Sequence, residues 1–451
     1  MRPFPSILAR FPGSLGLSRH PHGLPPLSPD QTHNIRLLYL EMALQGIVAA
    51  GATAYLSVFA VRLGASAFLV GLLNSLPALL LVLSAVPAGR YVAGQTNLKR
   101  VVVRSCVAFR ASYLVIALVP WLFPTWAGAA IVLIWSLAAI PTNLVEVSVT
   151  AALAEAVPPA RRAQIMSTRF AIHSVVAALT LPLVGRALDT LPFPVGYQIV
   201  FFGSFLAAML GTWVFSRLRI PEQVVHRERQ RHVPTRARLR AGLAELQRHR
   251  AFALYLVSIT VFRVGLAMPR PLWSLLWVND LHLSDGDISL ATTVVYAFSI
   301  IGYFLWGQVA ARFGHGGVLV AATLGLGMYP LITSLAQGLP TILLASCFGG
   351  FFTSAYSLAT LNVLLALAPP EQRANYVALN AVSLNVTALV GPMLGSGLTE
   401  WIGIRPALLI AAGGRFLGGL LFLLHPVRDD GPPSGPPADR AAEVAAPPLP
   451  H

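Results

Sequence analysis

A few polar side chains stand inside long apolar stretches, and they are the first candidates for chemistry. Glu41 and Gln45 are four residues apart, so they share one face of a helix. Arg263 lies in the middle of another apolar stretch. Burial disfavours the charged form of a carboxylate, which suits reversible protonation. We expect Glu41 to carry a proton and Arg263 to hold an anionic group. The alternatives are a hydrated Glu41 near a membrane edge and a structural ion pair for Arg263.

Hydroxyl and amide side chains recur at helical spacing in three later stretches, which favours one polar face on each helix. In a bilayer such faces contact protein or water rather than lipid. They either hold helices together or line a cavity, and we take Tyr296, Tyr356 and Asn380 as binding candidates. The three sets are Thr292, Tyr296, Ser299 and Tyr303; Thr353, Tyr356, Ser357 and Thr360; and Tyr376, Asn380, Ser383 and Thr387.

Charged residues near the ends of apolar stretches are candidates for gating. We expect Glu146 to pair with Arg169 at the inner end of the molecule. Pro269 and Pro271 flank Arg270, and two prolines so close together predict a helix break there. Arg110 and Arg415 also lie in apolar stretches, and the sequence assigns them no role beyond snorkelling or pairing.

Enzymatic and metal chemistry find little support in the residue pattern. The chain has no G-x-S-x-G, H-E-x-x-H or G-x-x-x-x-G-K-[ST] motif. Its two cysteines, Cys106 and Cys347, lie in apolar stretches without a partner at metal-binding spacing. We therefore expect no enzyme, no cofactor and no metal site. The carboxylates of Asp280, Asp285 and Asp287 are read as solvated.

The elements that position these residues follow from composition. Of 451 residues, 55% are hydrophobic and 11% are charged, which excludes an ordinary soluble domain. A helix needs about 20 apolar residues to cross a bilayer. Runs of that length predict twelve spans, at 37–61, 67–88, 101–122, 127–153, 164–186, 197–217, 252–277, 287–310, 317–337, 340–367, 375–399 and 405–425.

The basic residues predict the orientation of these spans. With both termini in the cytoplasm, 25 of the 32 Lys and Arg residues fall on the cytoplasmic side and only Arg62, Arg186 and Arg405 on the outer side. The net charge of +15 is thereby a signal of topology, and we expect no nucleic-acid partner. The chain is expected in the plasma (inner) membrane as a monomer.

Local similarities divide the chain into two halves. The segment Val157–Ala163 resembles Ala368–Ala374, and both ends of span 2 resemble those of span 8 at an offset of 218 residues. The same offset pairs Gln45 with Arg263. We therefore predict six-helix bundles at 35–217 and 251–425. A basic cytoplasmic loop at 218–250, with a surface helix at 236–249, joins them, and disordered tails occupy 1–34 and 426–451.

With twelve spans, two six-span halves and a basic middle loop, the chain resembles the major facilitator superfamily. The family's G-x-x-x-D-R-x-G-R motif after span 2 is degenerate here, with Gly89 followed by Ala93 and Gly94. The second copy keeps Gly307, Arg312 and Gly314. The missing Asp weakens a charge relay there, while Gly89 and Gly307 still predict close helix packing. Gly391-Pro392-Met393-Leu394-Gly395 in span 11 is similar to an exporter element that belongs to span 5.

The resemblance implies an all-α integral membrane protein that moves a small molecule by alternating access between two pseudo-symmetric bundles. We expect proton coupling, although another coupling ion is compatible with the sequence. The low charge and the aromatic side chains favour an amphiphilic or weakly charged substrate, and export of amphiphilic or drug-like compounds is one expectation. Uptake of a small metabolite and a transporter-like sensor or scaffold without flux are the alternatives. Gly89, Glu146, Arg169, Arg270, Gly307 and Arg312 are the gating candidates.

Overall fold

The computed structural model describes residues 27–158, 161–219, 249–369 and 373–425, and these residues form helices without strands. Eleven of the helical segments are long and apolar enough to cross a membrane. The helices of the first half are Pro29–Val48, Ala54–Arg62, Ala67–Ala93, Leu98–Leu122, Ala127–Ala156, Arg162–Thr190 and Val195–Ser216. Those of the second half are Arg250–Ala267, Pro269–Leu275, Asp285–Ser334, Leu339–Leu367, Arg373–Ile402 and Ile404–Leu424.

All twelve predicted spans are helical, and the predicted fold class is confirmed. The difference between eleven and twelve lies in Asp285–Ser334, a segment of 50 residues that joins two helices at Gly314. Gly314 has φ 76° and ψ 165°, a conformation that side chains with a Cβ rarely adopt. Spans 8 and 9 are therefore residues 285–313 and 315–334, and the other spans keep their sequence numbers.

Span 1 begins earlier than the hydropathy indicates, inside the predicted disordered tail 1–34. The Ser28 hydroxyl accepts from the Gln31 backbone N–H, and the Gln31 side chain accepts from the Ser28 N–H. This capping box stabilises a helix from Pro29, although the first turns are polar. The helix continues through a π-helical turn at Ala49–Thr53 to Arg62. The predicted helix 236–249 and the rest of both tails lie outside the described residues.

Span 7 is interrupted at Met268, where its two prolines predict, although Met268 keeps helical torsion angles. A helix ends at Ala267, another begins at Pro269, and a π-helical turn at Leu276–Asp280 completes the span. Proline lacks the amide hydrogen that would continue the helical hydrogen bonds. The break separates an inner segment that carries Arg263 from an outer segment that carries Arg270.

The chain divides into two compact units. The first unit takes the described residues within Met1–Leu56, Leu80–Thr125 and Leu133–Glu228, and the second takes those within Ser57–Leu79, Trp126–Val132 and Arg229–His451. The units differ from the sequence halves 35–217 and 251–425 because 57–79 and 126–132 pack with the second unit.

Each unit buries an apolar core and leaves many large apolar side chains exposed. Leu38, Val102 and Phe215 lie in the core of the first unit, and Phe252 and Tyr376 in that of the second. Exposed apolar side chains include Leu183, Phe313 and Trp401, the last 88% exposed. A soluble protein rarely tolerates so much exposed apolar surface, whereas lipid covers it at no cost. The chain is a multi-pass membrane protein.

Candidate functional site

Glu41 is the centre of a buried charge cluster in the first unit. Its Oε2 lies 3.1 Å from Nη2 of Arg169 and its Oε1 lies 3.7 Å from Nη2 of Arg110. The Gln45 side chain also donates to Oε1, at 3.1 Å. The side chains of all three charged residues are at most 9% exposed. One carboxylate from span 1 therefore holds two guanidinium groups from spans 3 and 5.

Arg110, to which the sequence assigns no role, connects this cluster to span 6. Its Nη1 donates to the Ala208 carbonyl and to the Thr212 hydroxyl. A Cβ at Gly211, on the same helix face, would lie 3.4 Å from Nη1, so the guanidinium packs directly against this face of span 6. The cluster thus joins four spans of the first unit, and Glu41 is neither isolated nor a hydrated residue at the membrane edge.

The expected pair between Glu146 and Arg169 is wrong. Arg169 pairs with Glu41, while the Glu146 side chain is exposed. Both acidic residues lie on spans of the first unit, but Glu41 faces the core and Glu146 faces away from it. Spacing along one helix identified the faces that carry charge, but it did not show which faces meet.

Arg263 is the centre of a second buried cluster, in the second unit. Its Nη1 donates to Oδ1 of Asn380 at 2.9 Å, and its Nε donates to the Tyr356 hydroxyl at 3.2 Å. Ser383 Oγ lies 3.5 Å from Nη1 and 2.7 Å from the Thr260 hydroxyl. Within the described residues Arg263 has no ion pair with a carboxylate. A buried guanidinium with only neutral partners remains able to attract an anionic group.

The three polar faces have different roles. On span 11, Asn380 and Ser383 bond to span 7, and Tyr376 packs on Phe252 with ring centroids 4.1 Å apart. On span 8, Ser299 donates to the Gly350 carbonyl of span 10, whereas Tyr296 is half-buried. Span 11 and Ser299 thus hold helices together, and Tyr356 on span 10 extends the Arg263 cluster.

The gating candidates are mostly exposed. Arg270 and Arg312 have exposed side chains. Gly89 and Gly307 were expected to permit close packing, but a Cβ at either position would meet no atom within 4 Å in the described part of the chain. Close approach occurs instead at glycines such as Gly350, where a Cβ would lie 2.2 Å from the Val295 carbonyl oxygen.

An ion pair in the second unit was not predicted. Arg62 at the end of span 1 donates to Oδ1 of Asp285 through Nη2 at 2.8 Å and Nε at 3.0 Å. Its Nη2 also donates to the Leu283 carbonyl at 3.1 Å. The signal in the sequence was a lone arginine in a loop otherwise poor in basic residues. Asp285 therefore has a guanidinium partner, which corrects its description as a solvated carboxylate.

Comparison with known proteins agrees with this architecture. The family model of the Major Facilitator Superfamily matches residues 255–449. The multidrug resistance protein MdtG of Dickeya zeae (strain Ech586) is 30% identical over 201 residues, 40% of this chain and 47% of that protein. The protein of the same name from Proteus mirabilis (strain HI4320) is 28% identical over 36% of this chain and 42% of its own length. The chain thus matches less than half the length of each relative.

Solved structures support the fold across most of the chain. A bacterial homologue of the human lysosomal transporter Spinster, in an inward-facing and occupied conformation, covers 91% of this chain and 100% of its own, with 13% identity and a TM-score of 0.68. The nucleoside transporter NupG covers 88% of this chain and 99% of its own, with 13% identity and a TM-score of 0.63. At such identities the likeness concerns the fold alone. The second half of the chain thus matches the family model of the Major Facilitator Superfamily, and the fold is similar to that of solved transporters.

Proposed function

We propose that this chain is a secondary transporter that exports amphiphilic or drug-like small molecules from the cytoplasm by alternating access. The observation that carries the proposal is the Arg263 cluster, a buried cation with neutral partners in a membrane span. The partial likeness to multidrug resistance proteins favours export over uptake. The bias of basic residues supports a plasma (inner) membrane protein with cytoplasmic termini, and we propose that it acts as a monomer.

The depth of Arg263 supports a role in binding. Span 7 runs from Arg250 to Asp280, 31 residues, so Arg263 lies about 3 Å from its midpoint along the helix axis. A cation at this depth is costly, and such residues mark substrate or ion pathways. Arg270 is seven residues further along the helix and has an exposed side chain. We propose that an anionic or strongly polar group of the substrate is attracted by Arg263 and Arg270, while Tyr296 and Tyr356 contact its apolar part.

Proton coupling is proposed for the Glu41 cluster. Glu41 is held by two guanidinium groups, so its protonation removes both ion pairs at once. Arg169 on span 5 and Arg110 on span 3 then lose their shared partner, and the packing of spans 1, 3 and 5 changes. A single proton is thereby converted into a change in helix packing, which is what a coupled transporter requires.

The proposal is tested in proteoliposomes with three fluorescent probes of similar size, one anionic, one neutral and one cationic. Transport is measured with and without an imposed pH gradient. We expect the anionic amphiphile to be moved fastest, and only with the gradient. Arg263→Gln should abolish the preference for the anion, and Arg263→Lys should retain part of it because it keeps the charge.

Arg186→Gln is the matched control, because it removes an exposed arginine at the outer end of span 5. Flux that is equal for the three probes in the native protein contradicts the role of Arg263. Flux that continues without a gradient, or that is unchanged in Glu41→Gln, contradicts proton coupling. Folded protein without flux of any probe favours a sensor or scaffold, and flux directed inward favours an uptake permease.

A further inference from the structure

Two prolines of the second unit leave specific backbone carbonyls without their helical partners. In a helix the N–H of residue i donates to the carbonyl of residue i−4, and proline has no N–H. Pro269 therefore frees the Gly265 carbonyl on span 7. Pro330, inside the helix of span 9, frees the Leu326 carbonyl in the same way. Buried carbonyls are costly unless another donor reaches them.

Arg415 on span 12 donates to both of these carbonyls. Its Nε lies 3.0 Å from the Gly265 oxygen, and its Nη1 lies 2.7 Å from the Leu326 oxygen. Its Nη2 reaches the Leu266 oxygen at 3.5 Å. Arg415 is 2% exposed, and no ion pair of the described residues includes it. One guanidinium group thus replaces the two backbone hydrogen bonds that the prolines remove.

The packing around the break in span 7 fits this role. A Cβ at Gly265 would lie 2.8 Å from the Ala411 oxygen and from the Arg415 nitrogen, so span 12 approaches span 7 at backbone distance. On another side, a Cβ at Gly395 of span 11 would lie 2.2 Å from the Met268 oxygen. The break is therefore enclosed by two helices, and Arg415 is the side chain that joins it to a third, span 9.

The outer segment of span 7 is attached to the same place. Trp273 stacks on Tyr329 with ring centroids 4.6 Å apart, and Tyr329 directly precedes Pro330. The segment carries Arg270, whose side chain is exposed. The direction of the outer segment of span 7 beyond Met268 therefore depends on the contacts that join spans 7 and 9.

We propose that Arg415 is a positioning residue, which holds span 7 at Pro269 against span 9 at Pro330 through the two freed carbonyls and thereby sets the place of Arg270. The role in the backbone is independent of transport. The effect on substrate rests on the proposed function, in which Arg270 attracts the anionic group.

A double-mutant cycle tests the backbone role. Arg415→Met is made in the native chain and in a Pro269→Ala/Pro330→Ala chain, where the alanine N–H groups can bond to the freed carbonyls. The thermal midpoint of the purified protein is measured for all four. We expect Arg415→Met to lower the midpoint by about 2–6 °C more in the native chain than in the alanine chain. A Pro182→Ala chain, which is altered in the first unit, is the control. There Arg415→Met should lower the thermal midpoint by as much as it does in the native chain.

A failure to fold is also informative in this design. If Arg415→Met cannot be purified from the native chain, the alanine chain should restore a folded protein. The proposal is overturned if Arg415→Met lowers the thermal midpoint equally in the native and alanine chains. It is also overturned if the alanine chain does not restore a folded protein.

Transport of the anionic probe tests the positioning effect. We expect Arg415→Met to raise the half-saturation concentration about five- to thirtyfold, as the loss of one or two hydrogen-bond energies would, and to raise it much less in the alanine chain. Arg415→Lys should raise the half-saturation concentration nearly as much as Arg415→Met, because one ammonium group cannot bond to three carbonyls at once. An unchanged half-saturation concentration overturns the positioning of Arg270. If Arg415→Met costs more stability in the native chain than in the alanine chain, but the protein transports no probe, the backbone role is supported and the proposed function is refuted.

Discussion

Replacing Glu41 with glutamine removes the one charge that two buried arginines share. The amide has nearly the same shape as the carboxylate, so packing is preserved and the electrostatic loss is isolated. Arg110 keeps its bonds to Ala208 and Thr212. Arg169 keeps only a contact with the Met166 sulfur at 3.4 Å, and its Nε is already buried without a hydrogen-bond partner.

Leaving a buried charge without its partner costs about 3–5 kcal/mol. For a unit of this size, we expect Glu41→Gln to lower the thermal midpoint by about 6–20 °C. Removing the stranded charge as well should recover part of the loss, so Glu41→Gln/Arg169→Met should be more stable than Glu41→Gln alone. A recovery of about 1–3 kcal/mol is the expected coupling.

The assay is thermal unfolding of purified protein in detergent, followed by size-exclusion chromatography after heating. Glu146→Gln is the matched control, because that carboxylate is exposed and has no described ion pair. It should stay within about 0.5 kcal/mol of the native protein. A Glu41→Gln protein as stable as Glu146→Gln would refute the reasoning, as would a double variant less stable than the single one.

Three further predictions concern the second unit. Asp285→Asn should lower the free energy of unfolding by about 1 kcal/mol, because it keeps an acceptor for Arg62 but loses the charge of a pair whose arginine is 26% exposed. Chemical unfolding of Asp285→Asn, Arg62→Gln and the double variant checks it, and costs that simply add contradict it. Gly350→Ala should lower the thermal midpoint strongly, since its Cβ would lie 2.2 Å from a carbonyl oxygen of span 8; Gly307→Ala, with no atom within 4 Å, should leave the midpoint unchanged or raise it. Gly314→Ala should cost about 1–3 kcal/mol because φ 76° and ψ 165° lie in a region that is essentially restricted to glycine, and Gly314→Asn should cost about as much in the same unfolding assay.

The spans were predictable because each depends on a local property, a run of apolar residues long enough to cross a bilayer. The break in span 7 was predictable for the same reason, since the effect of Pro269 and Pro271 is local. The start of span 1 was missed because its first turns are polar. The cue was the capping box of Ser28 and Gln31, which hydropathy does not detect.

The partners of the buried charges were not predictable in the same way. Glu41 and Arg263 were identified as candidates because charge in a membrane span is costly. Their contacts depend on which helix faces meet, and a single sequence carries no direct record of that. Arg415 is an example. The prolines that free the Gly265 and Leu326 carbonyls are visible in the sequence, but the proximity of these carbonyls to span 12 is a property of the packed structure.

The single non-helical residue between spans 8 and 9 has a mechanical consequence. A loop of several residues can stretch or fold when the helices on either side move, whereas Gly314 alone offers two torsion angles and no slack. We therefore expect a displacement of span 8 along its axis to move span 9 by nearly the same amount. A movement that begins beside Tyr296 would then reach the Leu326 carbonyl, to which Arg415 donates.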